Sequence, residues 1–324
     1  MDNPKFKEST RIISRYQKKL VNFLIINLSL WQVTKTIRKT PMSIRKIFDL
    51  SYPEPKPRSK NQIWIKDVGF DEAPWYHERM GLIELEDFLE VAGEKIDYVK
   101  ITTPQILGHP EAWLKRKLAL YKRYSIQPYL DHGFFLRAYR KGLVDEAIEA
   151  AANLGFLVME FMNTFDDVPS WQLKAWRQHA IDCGMDLIYE HHPESAWRKV
   201  ERAIASNAKQ IISSAEPFLE HGAFTVLIDH EEIELQAELA KDVLNEVIEY
   251  FGRDRMAFEV TSPKEAKMTW YSNIINYFQL FGTDCNITNI MPSQVMLIDP
   301  LRSGERPADI LFDRYPELKS LKSK

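Results

Sequence analysis

The sequence has few cysteines and no long apolar run. Its two cysteines, Cys183 and Cys285, are too few for a disulfide framework and do not have metal-binding spacing. No apolar stretch reaches the roughly 20 residues that a membrane-spanning helix needs, and no secretory signal with a cleavage site is recognisable. These absences predict a protein of a reducing compartment, the cytoplasm. The hydrophobic content, 45% of 324 residues, is sufficient for a large buried core.

The small net charge of −3 conceals a strong asymmetry along the chain. Residues 1–60 contain 14 basic and 4 acidic residues, a balance of +10, whereas the remainder contains 29 basic and 42 acidic residues, a balance of −13. Such a difference predicts that the front segment has a separate role from the rest of the chain. No nucleic-acid motif accompanies the basic charge, so nucleic acid is not an expected partner.

The front segment alternates apolar residues with basic clusters, and Val21–Trp31 is its most apolar stretch. This pattern predicts one or two amphipathic helices within residues 10–50. Three interpretations stay open: docking on the acidic part of the chain or on a second subunit of a homo-oligomer, binding to an anionic membrane surface, and processing as a targeting peptide. The Pro-rich stretch Tyr52–Lys60 predicts a stiff linker. We therefore expect two parts, a basic helical extension over 1–60 and a folded domain over 61–324.

The rest of the sequence alternates short apolar runs with stretches of helical periodicity. Two of these helical stretches, Asp145–Leu154 and Trp171–Asp182, are followed by a glycine stop signal. Eight such alternations over roughly 230 residues predict an α/β fold, the (β/α)8 TIM-type barrel. The eight predicted strands are Ile63–Asp67, Tyr98–Thr103, Ile126–Asp131, Phe156–Glu160, Met185–His192, Phe224–Asp229, Met256–Glu259 and Asp284–Asn289.

Charged and amide side chains end nearly all of these strands, where such barrels place their active sites. Strand parity predicts that His192 shares the inner face with Glu190, and that His191 and His230 point away. Because parity breaks down at strand ends, either histidine of the pair His191–His192 could line the site. Four inward acids would repel one another in a low dielectric unless a divalent metal, Lys100 or shared protons offset them. Oxygen ligands favour Mg²⁺ or Mn²⁺, and adding His192 would admit Zn²⁺ or Fe²⁺. The predicted metal set is Glu160, Glu190, Asp229 and Glu259. A structural ring of carboxylates that share protons is the alternative.

The remaining candidates follow from the same strand-end positions. Lys100 lies inside a strand end, where burial of its ammonium requires a carboxylate partner. The candidate catalytic residues are Lys100, Asp67, Glu190 and His192, and those for binding a small-molecule substrate include Asp131 and Asn163.

Four segments of the chain resemble the phosphosulfolactate synthase family. The segments Asn286–Ile290 and Met296–Asp309 are similar to its C-terminal signature, and Ile96–Lys100 and Asn153–Glu160 to two of its strands. The resemblance covers about residues 63–310. It implies a β/α barrel that adds sulfite to phosphoenolpyruvate with Mg²⁺, and it adds Asn286, Asn289, Arg302 and Arg306 to the substrate-binding candidates.

The chain also departs from the family pattern at several strand ends. Tyr129-Leu-Asp-His-Gly133 replaces Pro-Gly-Gly-Thr, and Glu190-His-His-Pro-Glu194 replaces Glu-Val-Gly-Lys-Lys. Asp229-His-Glu-Glu-Ile-Glu234 replaces Glu-Gly-Arg-Glu-Ser-Gly, and Glu259-Val-Thr261 replaces Glu-Ala-Pro. The acids are retained, but much of the positive charge that would hold phosphate and sulfite is not.

Three functions are consistent with this pattern. The first is a metal-dependent lyase or synthase that acts through an enolate on a changed, less anionic substrate, with Lys100 or His192 as acid or base. The second is retained sulfite addition to phosphoenolpyruvate. The third is a non-catalytic relative of the heat-stress type, against which the retained strand-end acids argue, because buried charge is costly to keep.

The basic front segment generates the first prediction. Its apolar surface must be covered, and we expect protein, not membrane, to cover it, so deleting residues 1–60 should lower stability or solubility. Co-sedimentation with anionic liposomes tests the competing interpretation. The docking hypothesis is wrong if the full-length protein pellets with vesicles while the truncated protein stays soluble, stable and unbound.

Overall fold

The computed structural model describes residues 54–70, 80–162, 168–193, 205–236, 240–260 and 270–303. Eight parallel strands follow one another in sequence order and close into a barrel, which confirms the predicted (β/α)8 fold. The strands are Ile63–Asp67 (β1), Tyr98–Ile101 (β2), Gln127–Leu130 (β3), Val158–Met162 (β4), Asp186–His191 (β5), Ala223–Ile228 (β6), Met256–Glu259 (β7) and Asn286–Ile290 (β8).

Helices connect the strands and cover the outside of the barrel. They are Leu82–Ala92 (α1), Thr103–Gly108 (α2), Glu111–Arg123 (α3), His132–Lys141 (α4), Val144–Leu154 (α5), Ser170–Asp182 (α6), Ala208–Leu219 (α7), His230–Gln236 (α8), Ala240–Phe251 (α9), Trp270–Phe281 (α10) and Val295–Ser303 (α11). Within the described ranges no helix is long and apolar enough to cross a membrane. The predicted helices of residues 10–50 lie outside the described residues, and the expectations of membrane binding and of a homo-oligomer stay predictions.

The strands end close to their predicted limits. β1 and β7 have the predicted bounds, whereas β4 continues two residues beyond Glu160 to Met162. It does so because its pairing with β5 continues to the register pair Met162↔Glu190. The apolar runs alone could not reveal this, because pairing depends on a strand distant in sequence.

Alternate residues of each strand point into the barrel or towards the helices. The inward residues form a buried interior cluster with Trp64 at its centre. The ring of Trp64 lies 4.4 Å from that of Tyr98 and 5.6 Å from that of Tyr129, measured between centroids. The interior cluster consists of Trp64, Tyr98, Tyr129, Val158, Ile188, Leu227 and Ala257. It fills the barrel, so the fold offers a ligand its rim and not a channel.

The end of the predicted linker is anchored on the barrel. Arg58 forms a salt bridge of 2.7 Å with the buried carboxylate of Asp97, the residue immediately before β2. Lys56 Nζ donates hydrogen bonds to the carbonyl oxygens of Gly93 and Ile96 at 2.6 and 3.0 Å. Residues 56–58 therefore attach the end of the linker to the barrel at the amino-terminal end of the strands.

The interior cluster predicts a large difference between two tryptophans. Trp64→Ala should lower the free energy of unfolding by about 3–5 kcal/mol, because it leaves a cavity among fully buried side chains. The matched control Trp171→Ala, at a ring that is 69% exposed on α6, should change it by only about 0.5 kcal/mol. Urea unfolding measures both values, and equal losses would contradict this account of the core.

Candidate active site

Eight ionisable side chains meet inside the rim at the carboxyl end of the strands. They come from β2, β4, β5 and β7, from the residues directly after β5 and β6, and from the first residues of α4 and α8. We call this group the mouth cluster. It consists of Lys100, His132, Glu160, Glu190, His192, Asp229, His230 and Glu259.

Lys100 is the centre of the mouth cluster. Its ammonium nitrogen lies 2.5 Å from Glu259 Oε1, 3.2 Å from Glu160 Oε2 and 3.7 Å from Glu190 Oε1. Its side chain is only 2% exposed. Burial disfavours the charged form, but the three carboxylates outweigh it and raise the pKa of Lys100 well above its usual value. Lys100 is therefore a fixed positive charge beneath the rim.

His132 closes one side of the cluster. Its backbone N–H donates a hydrogen bond of 2.7 Å to Glu160 Oε1, and its Nδ1 lies 2.5 Å from Glu190 Oε2. Burial opposes protonation of the ring, but Glu190 and Glu160 raise the pKa of His132 well above its usual value. The same contacts act on the acids. Burial and the charge of Glu190 raise the pKa of Glu160 to about 7, whereas His132 and Lys100 hold the pKa of Glu190 low against burial.

The other side of the cluster consists of two histidines that share Asp229. His192 Nδ1 lies 3.5 Å and His230 Nδ1 lies 3.3 Å from Asp229 Oδ2. His230 Nδ1 is also 3.7 Å from Glu259 Oε2. Both acids raise the pKa of His230 to about 11 despite burial, and the two histidines lower that of Asp229 against the effect of burial. The acids of the rim are thus balanced by lysine and histidine charge.

The prediction for His230 was wrong, while those for His191 and His192 hold. His191 bonds to Ser214 on α7, in the helix layer, and His192 faces Glu190, as parity requires. His230 turns inward because it is the first residue of α8, where strand alternation no longer applies. Asp229 makes this turn by accepting a hydrogen bond from the backbone N–H of Glu231 at 2.7 Å.

Asp67, a candidate catalytic residue, does not belong to the mouth cluster. It lies on the face of β1 opposite Trp64, and its Oδ2 pairs with Lys117 on α3 at 2.7 Å. The hydroxyl of Tyr121 donates a hydrogen bond of 2.6 Å to the same carboxylate. Because side chains alternate between the two faces of a strand, Asp67 points away from the barrel interior. Its contacts with α3 indicate a role in joining β1 to the helix layer.

Two substrate-binding candidates lie at the opposite end of the barrel. The Asn286 side chain accepts a hydrogen bond from the backbone N–H of Gln62 and donates one to the carbonyl of Met256. Arg302 donates to the carbonyl of Thr283, and its guanidinium lies 4.8 Å from the centre of the Phe278 ring. Gln62, Met256 and Thr283 lie at or just before the amino ends of strands, so the structure does not bring Asn286 or Arg302 to the mouth cluster.

The remaining candidates have different outcomes. Asp131 caps α4 by accepting a hydrogen bond from the backbone N–H of Gly133 at 2.7 Å, which sets the position of His132. Asn289 has a φ of 59° where the pairing of β8 with β1 shifts register, and its buried side-chain oxygen has no hydrogen-bond partner among the described residues. Asn163 and Arg306 lie outside the described residues.

His132 and His230 are the members of the cluster that sequence reasoning missed. A signal for them was present, because a histidine directly follows a strand-end acid three times, at Asp131–His132, Glu190–His191 and Asp229–His230. Two of these three histidines begin a helix and turn into the mouth.

The four predicted metal ligands do not form an all-oxygen site for Mg²⁺. Lys100 lies at the point where Glu160, Glu190 and Glu259 converge. The described residues with ligand atoms within 4.8 Å of one another form two mixed groups, His132–Glu190–His192 and Asp229–His230–Glu259. Magnesium prefers oxygen ligands, whereas imidazole suits zinc, iron and related metals. The magnesium site implied by the resemblance therefore does not fit this arrangement.

A parallel eight-stranded barrel with clustered acids, histidines and a buried lysine at the carboxyl rim has the architecture of TIM-barrel enzymes. The sequence pattern of one family, (2R)-phospho-3-sulfolactate synthase (ComA), matches residues 52–307. The chain belongs to this family.

Curated relatives agree with this membership. The phosphosulfolactate synthase of Methanothermobacter thermautotrophicus is 22% identical over 262 residues, which cover 78% of this chain and 92% of the relative. That of Methanocaldococcus jannaschii is 24% identical over 229 residues, covering 68% and 86%. Among solved structures, Rubisco from Pyrococcus horikoshii OT3 has a TM-score of 0.48 at 14% identity, covering 85% of this chain and 64% of the other.

The location of Asp67 predicts a loss of stability. Asp67→Asn leaves the ammonium of Lys117 buried without its charge partner, which should cost about 3–5 kcal/mol of unfolding free energy. The double variant Asp67→Asn/Lys117→Met removes both charges and should recover much of this loss. Urea unfolding tests both variants. A single variant as stable as the native protein would show that the pair is not the structural link proposed here.

Proposed function

We propose that this protein is a lyase or synthase that acts through an enolate, with His230 as the proton donor. We further propose that its substrate carries less negative charge than phosphoenolpyruvate and sulfite together. The reaction class follows from family membership, whereas the proton donor and the change of substrate follow from the mouth cluster. The exposed, carboxylate-held ring of His230 is the observation that carries the proposal.

The position of His230 suits a proton donor. Its side chain is 31% exposed, whereas Lys100 is 2% and His192 4% exposed, so a ligand at the rim meets His230 first. Its Nδ1 faces Asp229 and Glu259, which leaves Nε2 for the substrate. The two carboxylates orient the imidazole and keep it protonated, so it holds a proton that can be transferred to a strongly basic enolate carbon. The earlier candidates, Lys100 and His192, lie beneath it as supporting charges.

The proposed reaction has two steps. A nucleophile donates an electron pair to the terminal carbon of an unsaturated carboxylic acid, and the carbon–carbon π pair moves towards the carboxylate to give an enolate. The N–H of His230 then transfers its proton to the carbon next to the carboxylate, and the imidazolium becomes neutral. The reverse sequence eliminates the nucleophile and returns the proton.

The charge balance of the rim supports a less anionic substrate. The ammonium of Lys100 is already surrounded by three carboxylates, and Arg302 lies at the far end of the barrel. Burial raises the pKa of Asp131, but the charges of His132, Lys100 and the half-buried Lys66 on β1 lower it below its usual value. A phosphate together with sulfite requires several cations and N–H donors, and the described rim commits its cations to its own acids.

An assay of the family reaction tests the substrate. With phosphoenolpyruvate and sulfite, turnover should be at least about 100-fold below that of the Methanocaldococcus jannaschii enzyme measured in parallel, because the cost of placing extra negative charge beside four acids exceeds about 2.7 kcal/mol. Comparable turnover would restore the original substrates as those of this protein.

A second measurement tests the proton donor. In D₂O, NMR should detect exchange of the C2 proton of lactate or another short 2-hydroxy acid, which requires only removal of the proton next to the carboxylate to give the enolate, and its return. His230→Gln should slow this exchange by about 10²–10⁴-fold, whereas the half-buried surface control His221→Gln should leave it unchanged. Unchanged exchange in a folded His230→Gln protein would contradict the role of His230.

A further inference from the structure

We infer that His132, Glu190 and His192 form a binding site for a divalent transition metal of the zinc and iron class. Metal binding at these three residues does not depend on the reaction proposed above. They differ from the four predicted acids, three of which converge on the ammonium of Lys100.

The three side chains converge on a common space. One ligand atom from each lies within 4.8 Å of the other two. Glu190 Oε2 is 2.5 Å from His132 Nδ1 and 3.0 Å from His192 Nε2, and the two imidazole rings meet edge to face with centroids 4.6 Å apart. Each imidazole has a nitrogen facing the carboxylate, so a cation in this space could take an electron pair from both rings in place of their protons.

The carboxylate of Glu190 provides an independent observation. It is fully buried, and neither of its oxygens accepts a hydrogen bond of good geometry from the described residues. Its neighbours are the two imidazoles beside Oε2 and the ammonium of Lys100, 3.7 Å from Oε1. A buried carboxylate requires positive charge beside it, and a metal ion bound by the two imidazoles would supply that charge in place of their protons.

The surroundings of the histidines match those of metal ligands. Asp229 Oδ2 faces the Nδ1 of His192 at 3.5 Å, on the side of the ring away from Glu190. A carboxylate on the second nitrogen of a ligating histidine fixes its tautomer and raises its basicity. Glu160 Oε1 lies 3.2 Å from Nδ1 of His132, the same nitrogen that faces Glu190, so only His192 has a carboxylate on its second nitrogen.

The sequence supports the same set. Both histidines occur where the chain departs from the family pattern, His132 in the segment after β3 and His192 in Glu190-His-His-Pro-Glu194. These departures are far apart in sequence, yet the barrel brings their imidazoles to the two sides of one glutamate. Two histidines and one carboxylate form the ligand set of facial metal sites, which leave positions open for substrate.

Metal titration of the full-length protein, stripped of metal with a chelator, tests the inference. Equilibrium dialysis should show one Zn²⁺ or Co²⁺ bound per chain, with no competition from millimolar Mg²⁺. The Co²⁺ protein should show visible ligand-field bands typical of nitrogen and oxygen ligands in a site of low coordination number. This spectrum is independent of any variant, so it remains informative if a variant fails to fold.

Variants locate the metal. Loss of an outer carboxylate partner of a ligand typically weakens metal binding by about 10–100-fold, so His192→Asn and His132→Asn should weaken it by at least about 100-fold. His230→Asn should leave the affinity for Zn²⁺ and Co²⁺ unchanged, because His230 belongs to the other candidate group, Asp229–His230–Glu259. The comparison of these variants therefore shows which of the two groups binds the metal. The control His179→Asn removes a surface histidine that contacts Asp145 and Glu149, where adventitious metal would bind.

Three results would overturn the inference. The first is the absence of Zn²⁺ and Co²⁺ binding at millimolar metal. The second is binding that His179→Asn abolishes, which would identify a surface ion. The third is binding that His230→Asn abolishes but His192→Asn leaves intact, which would assign the metal to the other group. Metal binding with no detectable enolate exchange would reject the proposed function and leave this site established.

Discussion

The rim of this barrel depends on the balance between four buried acids and the cations among them. Lys100 offsets Glu160, Glu190 and Glu259 from below, and histidines at the starts of two helices offset them from the rim. Removing either set would leave carboxylates uncompensated in a low dielectric, which costs several kcal/mol for each charge. The interior cluster around Trp64 beneath them excludes water and so makes this balance necessary.

The chemistry available at the rim follows from the kind of residue that holds each charge. Lysine and arginine offer positive charge to an anionic substrate, whereas neutral histidine can offer an electron pair to a metal. In a β/α barrel these residues lie at the strand ends and at the loops and helix starts that follow them, so the rim can change while the packed interior stays the same.

The two faces of the strands perform different tasks with similar residues. Asp67 and Lys117 form a buried ion pair between β1 and α3, and Lys100 with Glu259 forms one inside the barrel. The first pair is also held by Tyr121 and is enclosed by helices, whereas the second lies under an open rim. Only the second can respond to a ligand, because a ligand reaches the rim and not the helix layer.

Much of the fold was predictable from the sequence because strand and helix periodicities are local. The eight apolar runs, the glycine stops and the strand-end acids are properties of adjacent residues, and they were sufficient for the barrel and for the inward positions of Glu160, Glu190 and His192. Strand parity could have excluded Asp67, since Trp64 and Asp67 lie an odd number of residues apart.

What only the tertiary structure decided was which distant charges meet. His132 and His230 lie beyond the ends of their strands, where alternation no longer predicts direction, and the first residues of α4 and α8 turn them inward. Arg302 and Asn286 belong to a family-like segment, yet packing places them at the amino end of the strands. The face of a strand on which a side chain lies follows from the sequence, because side chains alternate along the strand. The partner of a buried charge depends on contacts between residues far apart in the chain.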